Sequence, residues 1–167
     1  MKNQIFTLLA IVTFISCQNQ RYTQNSLEIE NSKNLIQDYN NKNWDALVGH
    51  YADTANIFFN TRVNSFKPDK LPNYHKSNDE DYASRGFISK DQEYEMVITD
   101  EGETWVNFWG TWECTLIDTN QEFELQIHIT SQYINGKIVE SHGYWDSAPI
   151  ISALIDYTQS QKENEII

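Results

Sequence analysis

The chain has 167 residues, and its 24 acidic against 12 basic side chains give a formal net charge of −12 at pH 7. This excess of negative charge repels phosphate groups, so we expect neither nucleic acid nor an anionic lipid surface as a partner. With 40% hydrophobic residues, the length suits one domain with its own core.

Residues 5–15 form an apolar run that follows the positive Lys2 and is shorter than the roughly 20 residues of a membrane-spanning helix. A positive start and a short apolar segment are typical of a secretory signal. The run ends at Phe14-Ile15-Ser16-Cys17, which resembles the lipobox of bacterial lipoproteins, where the cysteine is acylated and becomes the new N-terminus. The alternative is an ordinary signal peptide, whose cleavage site requires small residues where Phe14 or Ile15 stands.

The lipobox resemblance implies that residues 1–16 are a lipoprotein signal peptide and that acylated Cys17 anchors the protein to a membrane of the bacterial cell envelope, facing the periplasm. The polar residues 17–25 are predicted to form a tether. With Cys17 acylated, Cys114 has no partner for an internal disulfide. No basic residue adjoins Cys114, so we expect a packed rather than a reactive thiol.

Helical spacing of apolar residues predicts a first helix over residues 26–40. A second helix is predicted after Asn43, a candidate N-cap, and a short strand at Ile57-Phe58-Phe59. Residues 62–90 contain two prolines and a charged run, and predict only a weak helix between Tyr74 and Phe87. A long irregular connection of this kind is often functional, so this segment is a candidate lid.

From Asp91 onward the apolar residues alternate, which predicts strands. The predicted strands cover 94–98, 104–117, 122–134 and 137–145, and Asn135-Gly136 is a strong hairpin signal. A last helix is predicted to begin at Pro149. Helices followed by an antiparallel meander indicate the α+β class.

Two segments carry a resemblance to a known family: YNNKNWDALVGHYADTANIFF near the start and FELQIHITSQYINGKIVESHGYWDSAPI near the end. They resemble the NTF2-like superfamily, in particular its SnoaL-like branch. The resemblance implies N-terminal helices packed on a strongly curved, mostly antiparallel sheet, forming a cone with an internal apolar pocket. It places the domain at residues 26–158 and leaves 159–167 as a polar tail. Members of the family include enzymes, adaptors and ligand binders, so the fold alone does not specify a function.

Enzymes of this family need an ionisable group aimed into the pocket, where burial shifts its pKa. On the last strand, Ile138, His142, Tyr144 and Asp146 share one parity. If Ile138 faces the core, His142, Tyr144 and Asp146 are the candidate catalytic residues. The alternative is that His142 and Tyr144 are structural and that Asp146 caps the following helix. His128 is predicted to lie on the opposite, polar face.

Aromatic walls suit an apolar ligand, although they also serve as core or as a dimer contact. The predicted ligand-binding residues are Trp44, Phe58, Trp109, Tyr133, His142 and Tyr144. We expect no metal site and no cofactor, because the four histidines show no paired ligand spacing and no Gly-rich phosphate loop is present.

The favoured hypothesis is a lipid-anchored protein that binds a small apolar or amphipathic molecule in the cone. The alternatives are a small-molecule isomerase, dehydratase or hydrolase, and a homodimeric interaction module that uses the open sheet face.

Overall fold

The computed structural model describes residues 21–165, so the predicted signal peptide and Cys17 lie outside the described residues. The elements, in chain order, are β1 (Tyr22–Thr23), α1 (Leu27–Asn40), α2 (Trp44–Gly49), β2 (Tyr51–Phe59), α3 (Leu71–Asn78), β3 (Tyr82–Phe87), β4 (Glu93–Ile98), β5 (Thr104–Leu116), β6 (Glu122–Ile134), β7 (Lys137–Tyr144) and α4 (Ala148–Glu165). In the described part, no helix is both long and apolar enough to span a membrane.

The described strands form one seven-stranded sheet in the order β1-β4-β5-β6-β7-β2, with β3 also paired to β5. The β2–β7 pair is parallel and the others are antiparallel. The sheet is curved and the helices lie against its inner face, which confirms the predicted α+β cone.

Helix α1 begins where its N-cap satisfies a backbone donor. The Ser26 hydroxyl accepts a hydrogen bond from the Ile29 backbone N–H at 3.2 Å. Ile29, Leu35 and Ile36 are buried against the sheet, in agreement with the predicted apolar stripe. Asn43 precedes α2 as predicted, but its side chain donates to Asp38 instead of capping the helix.

The segment 62–90 is structured, so the prediction of a loose connection with a weak helix between Tyr74 and Phe87 is wrong in its details. The helix lies earlier, at Leu71–Asn78, and Tyr82–Phe87 is a strand that pairs with β5. Pro72 stands in the first turn of α3, where its missing N–H costs no intrahelical hydrogen bond. The segment forms a wall of the cone.

A register shift in β7 decides which residues face the cone. Tyr133 pairs with Ile138, but Gln132 pairs with Glu140, so Val139 is an extra residue in β7. A β-bulge of this kind reverses the side-chain alternation beyond it. Ile138 and Ser141 are buried on the inner face. His142 and Tyr144 consequently point to the outer face.

Both ends of the predicted domain differ from the expected boundaries. Tyr22 and Thr23, within the predicted tether, pair with Val97 and Met96 at the sheet edge. At the other end, α4 continues through residue 165, so the predicted polar tail 159–167 begins as helix.

Candidate functional site

A cavity of about 400 Å³ opens between the helices and the inner sheet face. Its apolar wall includes Leu35, Ile36, Leu47, Leu71, Phe87, Leu125, Ile127 and Ile129. Ile150, Ile151 and Leu154 of α4 cover one side, and Phe59 and Trp145 contact each other edge-on at 5.1 Å beside them. The cavity therefore has the size and apolar character of a small-molecule site.

The hydroxyl of Tyr39, near the end of α1, supplies a polar group in this cavity. The Trp112 Nε1–H donates to it at 2.9 Å. Among the described residues, no acceptor lies within hydrogen-bonding distance of the Tyr39 hydroxyl, so its own proton is available to a ligand. Burial raises the pKa of Tyr39 to about 12, although Arg85 and Trp112 act in the opposite direction. The phenol is therefore a neutral donor at physiological pH.

Arg85, on β3, organises the charged groups around Tyr39. Its side chain is 1% exposed, and it donates to Asp79 through Nε at 2.7 Å and through a terminal nitrogen at 3.1 Å. Its other terminal nitrogen donates to the Tyr39 carbonyl oxygen at 2.7 Å. The guanidinium also lies 4.1 Å from the Tyr39 ring centroid. All of these partners are internal, so Arg85 is a structural cation.

Asp79 balances this charge. Burial acts to raise the pKa of its carboxyl, but hydrogen bonds from Arg85 and Lys42 hold that pKa below its ordinary value. The Lys42 ammonium lies 3.1 Å from the second carboxylate oxygen. The cluster therefore places little uncompensated charge at the cavity.

His75 stands beside this cluster, with its ring parallel to Trp44 (centroids 5.4 Å apart, 15° between planes) and edge-on to Tyr39 (5.0 Å). Burial and the nearby Arg85 lower the pKa of His75 to about 4, against the opposing effect of Asp79. The imidazole is therefore neutral at physiological pH, with one nitrogen able to donate and one to accept a proton.

Two other tyrosines, Tyr133 and Tyr51, are buried on the inner side of the sheet near serine hydroxyls. The Tyr133 hydroxyl lies 2.8 Å from the Ser32 hydroxyl, and burial raises the pKa of Tyr133 to about 12. The Ser141 hydroxyl lies 2.9 Å from the Ser131 hydroxyl, and burial raises the pKa of Tyr51. Tyr133 was predicted to bind ligand, but it lies on the inner face away from the cavity wall.

Four other predicted ligand-binding residues lie outside the cone. The prediction that His142 and Tyr144 line the cone is therefore wrong. Phe58, Trp109, His142 and Tyr144 are on the outer sheet face, His142 and Tyr144 because of the bulge at Val139. The rings of Phe58 and His142 are stacked at 4.6 Å, and those of Trp109 and His128 at 4.9 Å. His128 lies on this face, as predicted.

The remaining predicted residues have structural roles. The Asp146 carboxylate accepts a hydrogen bond from the Ala148 N–H at 2.9 Å, which is the helix-capping alternative. Trp44 lies behind His75 and does not line the cavity. The His142 Nε2–H donates to the Glu140 carboxylate at 2.8 Å.

Sequence reasoning missed His75 and Asp79 as cavity groups, and Arg85 as the cation paired with Asp79. Tyr39 was assigned to the apolar stripe of α1, which does face the interior. His75 and Asp79 are four residues apart, a spacing that places both on one helix face. Arg85 lies two residues before buried Phe87 and so shares its face of β3. Among residues 21–165, no three or more His, Cys, Asp or Glu side chains are grouped to hold a metal ion.

We predict that His75 lowers the stability of the fold as the pH falls from about 6.5 to about 4. In that interval the unfolded chain binds a proton at His75 and the folded chain does not, so the free energy of unfolding decreases as pH falls. The effect amounts to at most about 3 kcal/mol. Denaturant unfolding at pH 7 and pH 4 should show a smaller loss of stability in His75→Gln than in the unsubstituted protein.

Ser77→Ala, an exposed and non-titrating change in the same helix, is the control and should retain the full pH dependence. An undiminished loss of stability in His75→Gln would contradict the prediction.

Solved structures with the same fold include three that differ widely in sequence. An NTF2-like protein of unknown function from Burkholderia pseudomallei has a TM-score of 0.62 and 12% identity, covering 77% of this chain and 97% of that one. A proposed polyketide cyclase from Xanthomonas campestris pv. campestris has a TM-score of 0.59 and 12% identity, covering 78% and 98%. A hypothetical protein with a ketosteroid isomerase-like fold from Catenulispora acidiphila, in complex with trimethylamine, has a TM-score of 0.57 and 10% identity, covering 71% and 87%.

A comparison with protein-family models gives no match, and neither does a comparison with curated protein sequences. At these identities the structural neighbours establish the fold and no activity. The chain has the NTF2-like fold.

Proposed function

We propose that this protein is a lipid-anchored protein of the bacterial cell envelope that binds a small apolar or amphipathic molecule in its cone. The observation that carries the proposal is the cavity of about 400 Å³, with apolar walls and the uncommitted Tyr39 hydroxyl. Most small-molecule sites combine apolar walls with a few placed polar groups, and this cavity follows that pattern.

The charges around the cavity favour a neutral ligand. Arg85 is buried, does not line the cavity and directs its three hydrogen bonds to Asp79 and the Tyr39 carbonyl, so it is not placed to bind an anion there. Asp79 is in turn paired with Arg85 and Lys42, so the interior of the cavity has no unpaired charge from this cluster. The polar group of the ligand that fits beside Tyr39 is a carbonyl or ether oxygen, which accepts a hydrogen bond from the Tyr39 hydroxyl.

The anchor part of the proposal rests on sequence. The apolar run of residues 5–15 stops at Cys17, in a tetrad that resembles a lipobox. An acylated cysteine with several chains gives stable membrane attachment, whereas one chain is marginal. Intact-mass analysis of the protein from a bacterial host, compared with a Cys17→Ser variant, tests this part directly.

We predict that Tyr39→Phe weakens binding of a carbonyl-bearing ligand by about tenfold, because a hydrogen bond of this kind contributes about 1–1.5 kcal/mol. The probes are 2-acetylnaphthalene and 2-ethylnaphthalene, which differ chiefly in the carbonyl. Titration of protein fluorescence should show weakened binding of the first probe and unchanged binding of the second.

Tyr144→Phe removes a hydroxyl from the outer face and is the matched control, so both probes should bind it as they bind the unsubstituted protein. Failure of either probe to bind, or equal loss of both in Tyr39→Phe, would argue against this site. Native mass spectrometry of the protein from its own cells would identify the natural ligand.

The second candidate function is an enzyme that uses pocket His, Tyr and Asp side chains. The observation that favours it is His75, whose neutral imidazole stands next to the Tyr39 ring. A base and a phenol donor in one apolar site suit a proton transfer next to a carbonyl. The structural neighbours include a proposed polyketide cyclase, which is compatible with such chemistry.

If the protein converts the ligand that native mass spectrometry identifies into a product, His75→Gln should lower kcat by at least about a hundredfold. This is the usual loss on removing a general acid or base. His128→Gln, the same change on the outer face, should leave kcat unaltered. Equal turnover in the two variants would remove His75 from the mechanism.

A homodimer through the outer sheet face is also part of the proposal. Trp109 is 40% exposed and Tyr144 36% exposed on that face, beside the stacked histidines. Aromatic side chains of this kind are enriched at protein interfaces.

We expect sedimentation at micromolar concentration to show a dimer, and Trp109→Glu to shift it to monomer by placing a charge in the interface. Val63→Glu changes an exposed apolar side chain in the loop after β2, outside the sheet, and should leave the dimer intact. A monomeric unsubstituted protein would contradict the prediction.

A further inference from the structure

The indole of Trp112 forms a hydrogen bond whose direction is fixed by its chemistry. An indole N–H can only donate, and the Trp112 Nε1–H donates to the Tyr39 hydroxyl oxygen at 2.9 Å. Trp112 is 6% exposed, and a buried donor without an acceptor is costly. The Tyr39 oxygen is therefore committed to Trp112 as an acceptor, and the hydroxyl faces a ligand as a donor.

The sheet holds Trp112 in place. Strand β5 is paired on both sides at this position, because Trp112 lies opposite Phe87 of β3 and Leu125 of β6. The Tyr82 ring contacts the indole edge-on, with the ring centroids 5.4 Å apart. Polar groups carried by paired strands are held more precisely than groups on loops. The position of the N–H is therefore set by the fold and not by the ligand.

The Tyr39 ring is held as well, so the phenol cannot turn away from this donor. The Arg85 guanidinium lies 4.1 Å from the ring centroid, and the rings of His75 and Phe87 contact it edge-on at 5.0 and 5.5 Å. These contacts leave rotation of the O–H bond as the main freedom of the phenol. The hydrogen bond from Trp112 restricts that rotation and directs the proton elsewhere.

Resting on the proposed binding of a ligand in the cone, we infer that Trp112 is a positioning residue that sets the hydrogen-bonding polarity of the ligand site. It makes Tyr39 a donor, so the site selects a ligand whose buried polar group only accepts over one whose buried polar group only donates. The N–H of a donor-only ligand meets an oxygen that Trp112 already occupies and is left without that partner. Donation by Trp112 also polarises the hydroxyl, which strengthens the hydrogen bond that Tyr39 gives.

Three probes that share one tricyclic frame report this polarity: 9-fluorenone carries an acceptor on its central ring, carbazole carries a donor there, and fluorene carries neither. In the full chain, Trp112 is replaced by 3-benzothienylalanine, in which sulfur replaces the N–H and the shape of the side chain is kept. We expect carbazole to gain affinity severalfold relative to fluorene, because the freed Tyr39 oxygen can accept its N–H. The advantage of fluorenone over fluorene, about tenfold in the unsubstituted protein, should fall.

Dissociation constants from equilibrium dialysis give both ratios. Trp112→Phe also removes the N–H and is the second variant, with the same expected change of ratios. If Trp112 served packing alone, its replacement would change the three affinities together, and unaltered ratios would overturn the inference. Trp105 is the matched control, because its indole N–H donates to the Glu103 carboxylate at 3.0 Å, away from the cavity. The same replacement at Trp105 should alter neither ratio.

A double substitution tests whether Trp112 acts through Tyr39. In a Tyr39→Phe background, the replacement at Trp112 should leave both ratios unchanged, because the hydroxyl that it positions is absent. A change of the ratios that persists in this background would overturn the inference.

These measurements separate the inference from the proposal on which it rests. If Tyr39→Phe removes the advantage of fluorenone but the replacement at Trp112 alters neither ratio, the inference falls and the proposed function stands. If fluorenone and fluorene bind the unsubstituted protein equally, Tyr39 is not a donor to the ligand, and the inference falls while the apolar cavity stands. If none of the three probes binds, both proposals fall together.

Discussion

The buried Arg85 guanidinium is the interaction on which the arrangement of the cone depends. It joins β3, the C-terminal end of α1 and the end of α3, because it bonds both the Tyr39 carbonyl and the Asp79 carboxylate. Its side chain is 1% exposed, and removing one partner of a buried ion pair typically costs about 3–5 kcal/mol. The pair holds the two helices at the distance that leaves a cavity between them.

This same interaction sets the chemistry of the cavity. Asp79 neutralises Arg85, while the guanidinium and burial together keep His75 in its neutral form. Burial keeps the Tyr39 phenol protonated. A neutral acceptor and a neutral donor thus face an apolar space, which suits recognition of an uncharged polar group and also proton transfer. One buried charge pair therefore supports both candidate functions.

One residue, Val139, decides which face of the sheet carries His142 and Tyr144. Val139 adds a residue to β7, so the inner face carries Ser141 while His142 and Tyr144 stack on the outer face with Phe58 and His128. The outer face carries the exposed rings of Trp109 and Tyr144, and the inner face forms the cavity wall. The proposed ligand and the proposed second subunit therefore use different side chains.

Periodicity and turn chemistry in the amino-acid sequence were sufficient to predict α1, the position of α2, four of the strands and the α+β class, because each depends on neighbours a few residues apart. The cone was implied by the resemblance to the NTF2-like superfamily. The face of His128 was also readable, and the capping role of Asp146 was one of two alternatives that the sequence left open. The face of His142 was not, because a bulge is a property of pairing between strands and leaves no mark in the alternation of one strand. The meeting of Tyr39, His75, Asp79 and Arg85 was decided only by tertiary packing, which brings residues up to 46 positions apart to one buried charge.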